Sequence, residues 1–184
     1  MSVADSYAPQ SGDPQYDVVS YDLDISYRVR TNRFEGRAVV NAVAAVRTRS
    51  VALDLVGLRV RRLRVDGEAR TAFQQGERKV RVSLPRVFEA GEAFSIEIEY
   101  AGAPRPRRSR WGTIGWEELD DGALVASQPT GAPTWFPCND RPDDRARYRL
   151  AITLDDPYVV AATGVADVPV RAGGGRTTWR FVSD

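Results

Sequence analysis

The sequence contains no histidine and one cysteine, Cys138. Without an imidazole, Cys138 has no base to activate it as a nucleophile, and no histidine-bearing metal site can form. A lone cysteine also excludes an internal disulfide and any multi-cysteine zinc site. Lysine is nearly missing: Lys79 stands alone among 26 basic residues, the rest being arginine. Against 25 acidic residues this leaves a net charge of +1, so no bulk electrostatic term draws the chain to nucleic acid or to an anionic membrane. No apolar run approaches the roughly 18 residues that span a bilayer. The polar start, with Pro9, Gly12 and Pro14, lacks the basic-then-apolar order of a secretory signal. The expectation is a cytoplasmic protein that binds neither membrane nor nucleic acid.

What is present is a globular composition: 184 residues, 42% hydrophobic and 28% charged. Period two dominates the chain. Tyr21, Leu23, Ile25, Tyr27 and Val29 alternate with Asp22, Asp24, Ser26 and Arg28, one apolar face against one polar face, as in a half-buried strand. Further strands are predicted over 36–46, at Val51, Leu53 and Leu55, over 60–65, 79–84, 94–100, 150–154, 158–162 and 179–182. Thr31-Asn32 reads as a turn, Asp66-Gly67 as a hairpin signal, and Gly173–Gly175 as a hairpin loop. No stretch of 12 or more residues shows helical periodicity. The expected fold is all-β, an antiparallel β-sandwich with a subsidiary β-layer. Residues 1–15 are expected as a disordered or extended tail and 16–184 as a single all-β domain. The segment 102–121, with Pro104, Pro106 and Arg105, Arg107, Arg108 and Arg110, reads as a mobile surface loop.

Few residue groups could carry chemistry. Cys138 beside Phe136 and Pro137 reads as a small buried hydrophobe. Trp135 and Phe136 read as core packing rather than a ligand platform. Asp140, Asp143 and Asp144 could hold a calcium ion, but the spacing is not that of an EF-hand loop and Arg141 and Arg145 sit close enough to pair with them. The four arginines followed by Trp111 and Trp116 resemble a basic, aromatic patch for single-stranded nucleic acid. Glu117, Glu118, Asp120 and Asp121 cancel its charge, so a solvated loop is the better reading. Asp22/Asp24 and Asp120/Asp121 are carboxylate pairs, but glycosidase chemistry needs two carboxylates facing each other across a cleft, and Asp22 and Asp24 lie on the polar face of one strand, pointing to water. Gln128, read from the residues alone, satisfies backbone groups at a strand end.

Several blocks recur in one order: Tyr21-Asp22-Leu23, Phe34-Glu35-Gly36, Leu53-Asp54-Leu55 with Gly57-Leu58, Gly91 before Phe94, Tyr100-Ala101-Gly102 and Gly115-Trp116. They continue with Gln128 to Pro142, Arg145-Ala146-x-Tyr148, Ala161-x-x-Gly164 and Trp179. The most specific is Pro137-Cys138-Asn139-Asp140-x-Pro142. From about residue 16 onward the chain resembles the N-terminal β-domain of the aminopeptidase N family of zinc metallopeptidases. Those enzymes hold zinc with two histidines of an H-E-x-x-H helix, which this chain lacks. The resemblance therefore implies no cofactor in this segment and zinc for a parent enzyme. It implies a partner too, the catalytic domain of the same polypeptide, and a peptide substrate held by its N-terminus. In the family a Glu or Gln nine positions before the proline of Pro-Cys enters the active-site cleft. That position is Gln128, which the resemblance assigns to substrate binding. The segment alone is expected to be inactive, and the stop at Asp184 reads as a cut within a longer chain. Two alternatives stand beside this one: a non-catalytic scaffold in a protein assembly, and a stand-alone β-sandwich binding module. The module requires an exposed aromatic row, for which Trp111 and Trp116 are the candidates.

Overall fold

The computed structural model describes residues 8–70, 72–110 and 112–184. Strands β1 (Tyr16–Arg28), β2 (Arg33–Ala44), β3 (Thr48–Asp54), β4 (Arg59–Val65) and β5 (Glu68–Arg70) open the chain. Then come β6 (Phe73–Gln75), β7 (Lys79–Phe88), β8 (Ala93–Gly102), β9 (Arg107–Ser109), β10 (Gly112–Leu119) and β11 (Gly122–Ala126). The last four are β12 (Arg147–Asp155), β13 (Val165–Ala166), β14 (Val170–Gly173) and β15 (Arg176–Ser183). The large sheet runs β13-β15-β12-β1-β2-β8-β4-β5, with β14 also on β15. Two smaller sheets have the orders β3-β7-β6 and β11-β10-β9.

The alternation seen in the sequence becomes the core face. Tyr21, Leu23, Ile25 and Tyr27 of β1 are buried while Asp22 and Ser26 stay half-exposed and Asp24 exposed. This is the pleat delivering successive side chains to opposite faces. Buried residues of β2, β4 and β8 join those of β3 and β7 in one hydrophobic cluster, so the β3-β7-β6 sheet closes the large sheet as a second layer. Tyr16 crosses between the layers and donates to the Ala52 carbonyl at 3.0 Å. Asp66 and Gly67, at φ 49° and 78°, make the β4–β5 hairpin turn, where positive φ at both positions matches strand twist.

Three details differ from the sequence expectation. The large sheet is mixed, because β12 pairs parallel to β1 from Ser20↔Arg147 to Ser26↔Thr153; alternation alone carries no strand direction. The segment 102–121 holds β9 and β10 rather than a loop. Its prolines and arginines masked a strand whose buried residues are Ile114, Gly115 and Trp116. Residues 158–162, expected as a strand, form none; the chain turns at Asp156-Pro157, where the Tyr158 amide bonds back to the Asp155 carbonyl at 3.1 Å. Residues 8–15 are laid on β3: the Gly12 amide donates to Asp54 Oδ2 at 2.7 Å and Asp13 Oδ2 accepts from the Ala52 amide at 2.7 Å. Among the described residues no helix is long and apolar enough to cross a membrane.

Candidate functional site

The motif 127–142 folds as a loop leaving β11 and then a short bridge onto β3. At its exit Asp54 and Cys138 exchange both backbone bonds, at 2.7 and 3.0 Å. That pairing draws Cys138 into the core, where burial pushes its thiol well above the ordinary range, so the thiolate needed for nucleophilic attack is suppressed. Phe136 packs edge-on against Tyr21, ring centroids 5.3 Å apart, and Trp135 packs against Phe136 at 4.5 Å. Both aromatics are thus wall rather than platform.

At its midpoint the loop is clamped from β10. Thr134 is fully buried; its hydroxyl accepts from the Trp116 amide at 2.9 Å and donates to the Gly131 carbonyl at 2.8 Å. Gly115 makes this approach possible. At φ 103° it carries no side chain, and a Cβ there would sit 2.4 Å from Thr134 Oγ1. The Val56 amide adds a bond to the Pro133 carbonyl at 2.8 Å.

Charged groups hold the remaining side. Arg107 of β9 donates to Thr130 Oγ1 at 2.9 Å and faces Asp140 at 3.9 Å. These two side chains are only 16% and 10% exposed. The Asp140 amide donates to Asp54 Oδ2 at 3.3 Å, and Asp54 is ion-paired with Lys79 at 2.9 Å. Burial, and then the charge of Asp54, raise the Asp140 carboxyl to about 7, although Arg107 and the facing Gly131 amide pull it down. The ion pair is at its outer distance limit, so desolvation wins.

Gln128 is the outward point of this assembly. Its side chain is exposed and makes no hydrogen bond among the described residues. It therefore does not satisfy strand-end backbone groups, the role its sequence context alone suggests. The neighbouring Thr130 and Thr134 are buried, which leaves a polar side chain projecting from an anchored loop.

The other candidates fall outside this arrangement. Asp143 pairs with Arg141 at 2.7 Å, and Asp144 accepts from the Val18 amide at 3.1 Å and from Asn139 at 2.8 Å. Among the described residues no group of three His, Cys, Asp or Glu side chains could hold a metal ion; the zinc the resemblance implies is that of a parent enzyme. Trp116 is buried, edge-on to Tyr27 at 4.9 Å and Phe34 at 5.3 Å. The exposed aromatic row required of a stand-alone binding module loses that member, and Trp111 lies outside the described residues. Arg107 was legible only as one arginine in a basic run. Its partners Thr130 and Asp140 are more than 20 residues away, and no local signal links them.

The described residues form an all-β domain in which Gln128 projects from a loop anchored by buried neighbours. The chain belongs to the peptidase M1 N-terminal domain family, whose model matches residues 18–183. It is 25% identical over 170 residues to a leucyl aminopeptidase of Saccharolobus solfataricus, covering 88% of this chain and 19% of that protein. It also superposes with a TM-score of 0.87 on an M1 zinc metallopeptidase of Deinococcus radiodurans bound to a Tyr-Ser-Ala substrate. That match is 28% identical and covers 95% of this chain and 40% of the other. Legionella pneumophila aminopeptidase A, at 19% identity and a TM-score of 0.78, shares the fold. The chain thus spans about a fifth of the curated relative and two fifths of the solved one.

Proposed function

We propose that this domain forms one wall of the substrate cleft of a cytoplasmic zinc-dependent aminopeptidase, with Gln128 facing the free N-terminus of the peptide. Zinc supplies a Lewis acid and an activated water in such enzymes, and its ligands belong to a catalytic domain outside these 184 residues. The contribution of this chain is recognition. The Gln128 carbonyl oxygen accepts from the substrate ammonium group, or its amide donates to a peptide carbonyl. The first of these bonds favours a chain end over an internal segment, because only a chain end carries the ammonium group. A hydrogen bond to a charged group is worth about 1.5–3 kcal/mol, roughly tenfold to a hundredfold in affinity.

The observation that carries this reading is the exposure of Gln128 on a loop whose neighbours are buried and bonded. The buried, unpaired Cys138 fits the cytoplasmic location. The test is steady-state kinetics of the full-length enzyme with aminoacyl p-nitroanilides. Gln128→Ala should lower kcat/KM about tenfold or more at unchanged zinc content. Unchanged kinetics across several substrates would refute the assignment.

A further inference from the structure

We propose that Arg107 and Asp140 are positioning residues for Gln128: the pair fixes the loop 127–131 from beneath, and substrate recognition depends on it although neither touches substrate. The inference rests on the reading of Gln128 as the substrate-facing residue.

Burial and geometry make the case together. Arg107 and Asp140 are largely sealed from solvent, yet they meet only at 3.9 Å. Asp140 Oδ2, Arg107 Nε and the hydroxyl of Ser127 are all buried without a hydrogen-bond partner. A pair so loosely matched recovers little of the desolvation its charges suffer, and apolar residues of similar volume would stabilise such a position as well or better. Fold stability therefore does not account for the pair. What the two groups touch does. Arg107 binds Thr130 at 2.9 Å, two residues from Gln128, and the Gly131 amide faces the Asp140 carboxylate. The Asp140 backbone is tied to Asp54, which is held by Lys79. Lys79 of β7 pairs with Asp54 of β3, Asp54 accepts from the Asp140 backbone amide, and Arg107 of β9 joins Asp140 to the Thr130 hydroxyl of the Gln128 loop. The opposite side of the loop is held by neutral bonds through Thr134. Release of the charged side leaves a hinge at Thr134 and lets Gln128 swing.

The test is a set of double-mutant cycles in the full-length enzyme, measured as kcat and KM on an aminoacyl p-nitroanilide, with zinc content and near-ultraviolet circular dichroism as controls. Arg107→Gln and Thr130→Val should each lower kcat/KM about tenfold, since a misplacement of about 1 Å can cost about a hundredfold. Thr130→Ser, which keeps the hydroxyl, should recover most of the loss. In a Gln128→Ala background neither Arg107→Gln nor Thr130→Val should lower kcat/KM further, because their effect passes through the missing side chain. Losses that multiply in the double variants overturn the proposal, as does a Thr130→Ser variant as impaired as Thr130→Val. If Arg107→Gln fails to fold, the Thr130 series decides alone. A Gln128→Ala enzyme with normal kinetics sinks the substrate-facing role itself. Loss in Gln128→Ala with none in Arg107→Gln or Thr130→Val sinks only the positioning role.

Discussion

Asp140 has an acid–base behaviour that can be checked apart from any catalysis. Its carboxyl rises from 3.8 to about 7 in the folded chain, through burial first and the charge of Asp54 second. The folded state then holds a proton that the unfolded state has released. Stability from this group is present in full below pH 4, falls as the pH rises, and is lost above about 7. Asp143 and Glu97, held low by Arg141 and Arg37, act in the opposite direction and lose their stabilisation in acid. Comparing the native chain with Asp140→Asn cancels them. Urea unfolding at pH 5 and pH 8 should show the Asn variant gaining on the native chain at the higher pH, by about 1 to 4 kcal/mol. Equal differences at the two values would contradict the raised carboxyl. Gln128 was visible in the sequence only through its spacing from Pro137. Asp140 was visible as a turn and pairing residue, but its burial was not, because that depends on Asp54 and Arg107, 86 and 33 residues away in the chain.

At the scale of elements, β10 ties the loop to the body of the domain. Its Trp116 ring lies edge-on against both Tyr27 of β1 and Phe34 of β2, and its backbone amide holds Thr134. Trp116→Ala should cost about 3–5 kcal/mol, read as a fall in the urea midpoint of the 184-residue chain. A loss within about 0.5 kcal/mol, the range of ordinary surface changes, would mean that the ring is not a core member. The strands that alternate strictly, β1, β2 and β8, were readable from the sequence because each has one face in the core and one in solvent. β9, β10 and β11 were not. They form a small sheet with a polar, proline-led approach, and β11 is exposed along most of its length, so period two carries no contrast there. The parallel β1–β12 pairing was equally hidden, since it depends on where a distant strand returns.

For the whole molecule, the two ends of the large sheet are unlike. The β4 and β5 end is rich in arginine paired with glutamate, as in Arg62–Glu99. The β13-β15-β14 end exposes valine: Val165 at 77% and Val168 at 84%, with Val165 opposite Val182 in the pairing. Val170 of β14 and Val182 of β15, at 51% and 39%, add to it. Single exposed apolar residues are ordinary, but several gathered at one sheet end mark a surface that another protein layer covers. This chain covers 40% of the solved relative. The isolated 184-residue chain should then bind a hydrophobic dye and self-associate as its concentration rises, by sedimentation analysis. Substituting Val165 and Val168 with serine should weaken both effects while leaving the urea midpoint within about 0.5 kcal/mol. A monomeric, dye-silent native chain would remove the argument for a covered face. In the source cell, an antibody to this domain should detect a species several times larger than 20.4 kDa. A native species of that size alone would instead leave the domain to work without a catalytic partner on the same polypeptide, and the substrate-facing role proposed for Gln128 would fall with it.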